Sequence, residues 1–204
     1  MRFGRVEVTG GFFLLVAWLN YLDHQLIIPM ALAACALHEL GHYLAIRTLG
    51  GDIQLIRLTA VGAEMVVKCT LGYWQEGLSA LAGPGVNLIL ALIFCNFRWG
   101  TTFAGLNLIL ACFNLIPIGR LDGGRALHCI LALLVGSDWS FQVSRWLDVV
   151  CTALLFGCGL LFVGAGGNLT LLLVSIWLFG VVYKENYSNI NRNRACHLKK
   201  KQLK

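Results

Sequence analysis

One five-residue run in this sequence carries the parts of a metal-assisted hydrolysis: His38-Glu39-Leu40-Gly41-His42. On a helix, residues four apart share a face, so both imidazoles can hold one metal ion. Zinc suits two imidazoles and a carboxylate, and it brings the pKa of bound water down to about 7. Glu39, beside the first imidazole, is placed to take a proton from that water. The run lies in an apolar stretch, where an unused glutamate costs on the order of 3 kcal/mol. Two histidines that merely hydrogen-bond across helices would leave Glu39 without a purpose.

A third protein ligand is needed, and three residues compete for the role. Asp122 leads, in Asn114-Leu115-Ile116-Pro117-Ile118-Gly119-Arg120-Leu121-Asp122-Gly123-Gly124. Pro117 and the glycines free the backbone from helix there, which lets a carboxylate turn into a polar cavity. The plainer reading is a turn aspartate paired with Arg120 or Arg125. Asp148 is a rival with Arg145 three residues before it as a surface partner, and His128 is another.

Two asparagines complete the candidate set. Asn87, in Ala82-Gly83-Pro84-Gly85-Val86-Asn87, follows residues that permit an unwound and closely packed backbone. Its amide could hydrogen-bond a substrate carbonyl or an oxyanion, or serve as a helix–helix contact. Asn114 has the same two readings.

The elements that must position these residues are hydrophobic. Of 204 residues, 58% are apolar and 13% charged, and the mean hydropathy is +0.74. A soluble domain carries about twice that charge, and a disordered chain lacks this much apolar surface. The expected class is an all-α polytopic membrane protein with about six transmembrane helices and a small cytoplasmic-side β-hairpin. The spans read as Gly10–Leu22, Leu26–Ile46, Gly77–Phe97 and Thr101–Gly119, then two more within the uncharged run of residues 149–183. That run is too long for one crossing, and the turn at Gly164-Ala165-Gly166-Gly167-Asn168 divides it, with the fifth span beginning near Arg145. Ala126–Gly136 is too short to cross and reads as interfacial or re-entrant. Val6 and Val8 suggest a short strand, and residues 53–68 a hairpin.

Charge placement supports this layout. With both termini cytoplasmic, fifteen of the sixteen basic residues face the cytoplasm and only Arg98 lies outside. Seven of them lie from Lys184 onward, at the end of the expected domain (residues 1–184) and in a basic cytoplasmic tail (185–204). A basic tail after a span faces anionic lipid, and without interleaved aromatics it gives no case for nucleic acid. The eight cysteines form no C-x-x-C pair, so neither a disulfide framework nor a thiolate metal site is expected. No cleavable signal is read in the first apolar run. Arg47 at the cytoplasmic surface puts the metal about 7–14 Å below it.

Three motifs in order, the H-E-L-G-H at 38–42, the A-G-P-G-V-N ending at Asn87, and the N-L-I-P with L-D-G-G at Asp122, make the sequence similar to the site-2 protease family of intramembrane metalloproteases. Within it, the chain most resembles the small bacterial subgroup that includes the sporulation factor-processing protease. The resemblance implies one zinc ion per chain held by His38, His42 and Asp122, Glu39 as catalytic base, and Asn87 and Asn114 as substrate or transition-state contacts. The activity it implies is hydrolysis of peptide bonds within or beside transmembrane segments in a bacterial cell membrane. A membrane-tethered transcription-factor precursor fits as substrate, and the oligomeric state is open. A metal transporter or a non-hydrolytic zinc-binding scaffold is the alternative; it accounts for the ligands but not for Glu39.

Overall fold

The computed structural model describes residues 2–3, 6–8, 26–59, 62–67, 71–167 and 169–184. The expected span Gly10–Leu22 and the basic tail lie outside them. The described order is β1 (Arg2–Phe3), β2 (Val6–Val8), α1 (Ile27–Thr48), β3 (Ile53–Thr59), β4 (Gly62–Val67), α2 (Tyr73–Phe94), α3 (Thr101–Asn114), α4 (Asp122–Val135) and α5 (Ser137–Gly164). A sixth described helix, α6, covers Thr170–Lys184. The molecule is mostly helical, with one small sheet.

Among the described residues, α1, α2 and α5 are long and apolar enough to cross a membrane. Helices α3 and α6 are apolar but shorter. The faces of these helices are distributed as lipid solvation requires. Leu92, Leu134 and Leu161 lie on the outside, each at least two-thirds exposed. Many of the buried helix residues are small, among them Ala34, Ala80, Ala91, Ala104 and Ala111. Lipid offers large side chains as good a solvent as a protein core does, so tight contact is left to residues that let backbones approach.

Several boundaries differ from those expected. The fourth span was to reach Gly119, but α3 stops at Asn114. Pro117 has no N–H and pushes its predecessor out of helical conformation, so residues 115–121 become a tight irregular segment closed by Ile118 N–H to Ile116 O at 2.8 Å. The stretch expected to lie at the interface is a 14-residue helix, α4. Helix α5 begins at Ser137, well before Arg145, where Gly136 at φ +92° makes the break. The turn after α5 falls where expected, with Gly166 at φ +82°.

The hairpin is part of something larger. Strands β3 and β4 pair antiparallel, and β2 joins β3 in parallel, giving one four-stranded sheet in the order β1-β2-β3-β4. Alternation in Val6–Val8 indicated a strand, but nothing local indicates its distant partner. Glu7 and Arg57 are opposite in that register and form an ion pair at 3.2 Å.

Helices α1 and α2 run antiparallel and nearly touch. A Cβ on Gly41 would come within 2.9 Å of Ala82 O, and Gln75 Nε2 donates to Leu49 O at 3.1 Å. The expectation of an unwound backbone at Gly83–Gly85 is not met: α2 runs unbroken through Pro84. The close packing is met at Gly83, which lies against His42, while Gly85 meets nothing within 4 Å.

Candidate metal centre

Helix α1 turns His38 and His42 to its buried side, and both are under a tenth exposed. Asp122 opens α4, where the partial positive charge of a helix N-terminus favours a carboxylate. What brings it inward is the segment before it. A Cβ on Gly124 would lie 2.2 Å from Ile118 O, and one on Gly123 would lie 2.2 Å from Leu115 O. The two glycines lie within the first turn of α4, and their missing side chains let the 115–121 turn fold directly against it. Asp122 is buried as a result.

These three residues converge. His38 Nε2 and Asp122 Oδ2 are 3.1 Å apart, His42 Nε2 and Asp122 Oδ2 are 3.2 Å apart, and the two Nε2 atoms are 3.1 Å apart. Among the described residues, this is the group of His, Cys, Asp and Glu donors that could hold a metal ion. Donors about 2.0 Å from a tetrahedral zinc ion stand about 3.3 Å from one another, so the spacing fits.

With both imidazoles neutral, as metal ligands must be, the proton count favours a cation over hydrogen bonds alone. His42 Nδ1 lies 2.7 Å from the carbonyl of Ser79, and a neutral ring donating there keeps a lone pair on Nε2. That lone pair then faces the carboxylate oxygen, and a proton on His38 Nε2 can serve only one of the two. A positive ion among the three satisfies all of them. The second oxygen of Asp122 is turned to Arg125, at 3.7 Å, and Arg125 also reaches Glu76 at 3.8 Å. The pairing expected of an ordinary turn aspartate is thus present on Oδ1, while Oδ2 faces the histidines.

Gly83 sets the fit of the second histidine. A Cβ there would lie 2.3 Å from His42 Nε2, a distance at which one of the two must move. Gly83→Ala is expected to weaken metal binding about 10–100-fold, read by competition titration, with helix content unchanged by circular dichroism.

Glu39 is half-buried, adjacent to the ligand set and within the electrostatic field of His38, His42, Asp122 and Arg125. The rival ligands are engaged elsewhere. His128 Nδ1 and Ser140 Oγ are 2.8 Å apart, and Asp148 accepts from Gly119 N–H at 2.7 Å. Asn114 turns back on its own helix, donating to Leu110 O at 3.0 Å. Asn87 is wholly buried, on the same stripe of α2 as Ser79 and Gly83. Sequence reasoning missed Ser79, which acts through a backbone carbonyl and leaves no side-chain signal. It also missed Asn107, a fully buried amide on α3, although an amide in an apolar run was a visible flag.

No protein-family model matches the chain. A solved site-2 protease from Methanocaldococcus jannaschii superposes with a TM-score of 0.67, covering 91% of this chain and 93% of that one at 24% identity. The chain has the site-2 protease fold. A zinc metalloprotease of the same organism is 26% identical over 171 residues, 78% of this chain. A protein of Synechocystis sp. named as a zinc metalloprotease is 30% identical over 151 residues, 65% of this chain. The chain spans 49% of the length of the first and 36% of the second. It is thus a relative of zinc metalloproteases, and the site-2 protease fold places its three potential ligands in one buried cluster.

Proposed function

We propose that this protein is an intramembrane zinc metalloprotease of the site-2 protease family, hydrolysing peptide bonds within or beside transmembrane segments of membrane-bound substrates. The observation that carries the reading is the closed triangle of His38, His42 and Asp122 donors with Glu39 adjacent. Support comes also from the relatives' names and from the outward-facing apolar helices.

His38, His42 and Asp122 would hold one zinc ion. Zinc bound there supplies Lewis acidity toward a substrate carbonyl and toward water. Glu39 takes a proton from the attacking water and delivers it to the leaving amine, so that one water is consumed and two chain ends form. Glu39 is half-buried rather than enclosed. The buried packing around both imidazoles holds them in place and keeps bulk water out of the ligand cluster.

A helical substrate keeps its carbonyls in hydrogen bonds, so it must unwind before attack. An unwound segment could add to the small sheet as a further strand. Asn114, at the end of α3 and just before the irregular segment, is a candidate substrate contact, and Asn87 a second. The finer topology belongs to this reading: six spans, both termini in the cytoplasm and residence in a bacterial cell membrane. A membrane-tethered transcription-factor precursor, as in the sporulation-linked subgroup, is the substrate class to try first.

The test is co-expression with such precursors. The reading expects a shorter product that depends on Glu39. Zinc accumulation in cells expressing the protein, with no cleavage of any membrane-tethered precursor, would favour the transporter alternative instead.

A further inference from the structure

Three buried polar side chains on helices that pack together have atoms with no hydrogen-bond partner: Nδ1 of His38, both Oδ1 and Nδ2 of Asn87, and Oδ1 of Asn107. They come from α1, α2 and α3, which pack on one another pairwise. An amide buried without a partner costs several kcal/mol on the order of 2–7. Such groups call for an enclosed water to join them.

The antiparallel packing of α1 on α2 gives their relation. Gly83 lies against His42 Nε2. One turn toward the N-terminus of α1 is His38, and one turn toward the C-terminus of α2 is Asn87. Asn87 therefore stands at the level of His38, on the stripe of α2 that faces it. The donor and acceptor types are complementary. His38, with Nε2 directed at the ligand cluster, carries its proton on Nδ1 and needs an acceptor. Asn87 offers Oδ1 as that acceptor and Nδ2 as a donor. Asn107 has its own amide nitrogen committed to Phe103 O at 2.9 Å and keeps Oδ1 free to accept.

We propose that Asn87 is a positioning residue for His38: through an enclosed water, its Oδ1 takes the Nδ1–H of His38, and enclosed water likewise joins its amide to Oδ1 of Asn107. The relay does for His38 what the Ser79 carbonyl does for His42, fixing the tautomer and the ring plane. It rests on the reading of His38 as a metal ligand. An outer partner of this kind is worth about 10–100-fold in metal affinity.

The experiment is a zinc competition titration on the purified full-length protein in detergent, together with the visible spectrum of the cobalt-substituted form. Asn87→Leu keeps the volume and removes the hydrogen bonds; Asn87→Asp keeps the acceptor. The proposal expects zinc affinity about 10–100-fold weaker in N87L, with an altered cobalt spectrum, and a smaller loss in N87D, which keeps the acceptor for His38 but gives up the donor to Asn107. A packing role alone would leave N87L unchanged and would overturn the proposal. Should N87L not fold, Asn107→Ala serves as the second variant, with a smaller loss expected and no loss overturning the relay. Wild-type protein that binds neither metal would reject the ligand reading itself, an outcome distinct from normal binding by N87L.

Discussion

Glu39→Gln should retain zinc and lose cleavage. The amide is nearly isosteric with the carboxylate, so α1 and the imidazoles it carries stay in place. Glu39 is not among the three clustered donors, and its replacement therefore leaves the ligand set whole. What goes is the group that receives a proton from water and returns it to the leaving amine. Positioned acid–base groups contribute about 10²–10⁴-fold, and here one residue serves in both transfers, so the loss should lie at or beyond the upper end. The check is a gel-based cleavage assay run beside metal analysis on the same preparation. Loss of zinc along with activity would move Glu39 into the ligand set, and retained cleavage would remove it from the chemistry.

Asp122→Ala is expected to have the opposite profile, losing the metal itself. The carboxylate supplies the one negative charge among the three donors, and it is buried, so no water-exposed group can substitute without rearrangement. Without it, two neutral imidazoles remain to hold a divalent ion, and zinc sites that hold the ion tightly use three or four protein ligands. Arg125 would also lose its partner on Oδ1, leaving a cation next to the emptied position and opposing metal entry further. Zinc content by mass spectrometry should fall from about one per chain to background in D122A, and cleavage should fall with it. Asp122→Asn tests the charge separately from the shape: it should bind zinc more weakly than wild type yet keep the fold.

Much of this site could be read from residue spacing. Two histidines four apart must share a helix face, and few carboxylates besides Asp122 fall beside apolar stretches. Other features were invisible for physical reasons. The glycines after Asp122 suggested release from helix, whereas they are helical and admit the turn that precedes them. The Gly83-Pro84-Gly85 run suggested unwinding, yet α2 continues through it and the absent side chain at Gly83 makes room for His42. In both places composition signalled glycine's two uses, conformational freedom and close approach, and only packing distinguishes them. The parallel pairing of β2 with β3 joins segments separated by the whole of α1, beyond the reach of local periodicity. Helix ends differ for local reasons: Pro117 ends α3 early, and α5 begins at Ser137, ahead of the apolar run that marks a span near Arg145.

The claim beneath all of this is that one ion is held jointly by His38, His42 and Asp122. X-ray absorption at the zinc edge of the purified wild-type protein tests it most directly. The account predicts two imidazole nitrogens and oxygen ligands at about 2.0–2.2 Å, with no sulfur. A sulfur shell near 2.3 Å, or an imidazole contribution below two, would contradict it.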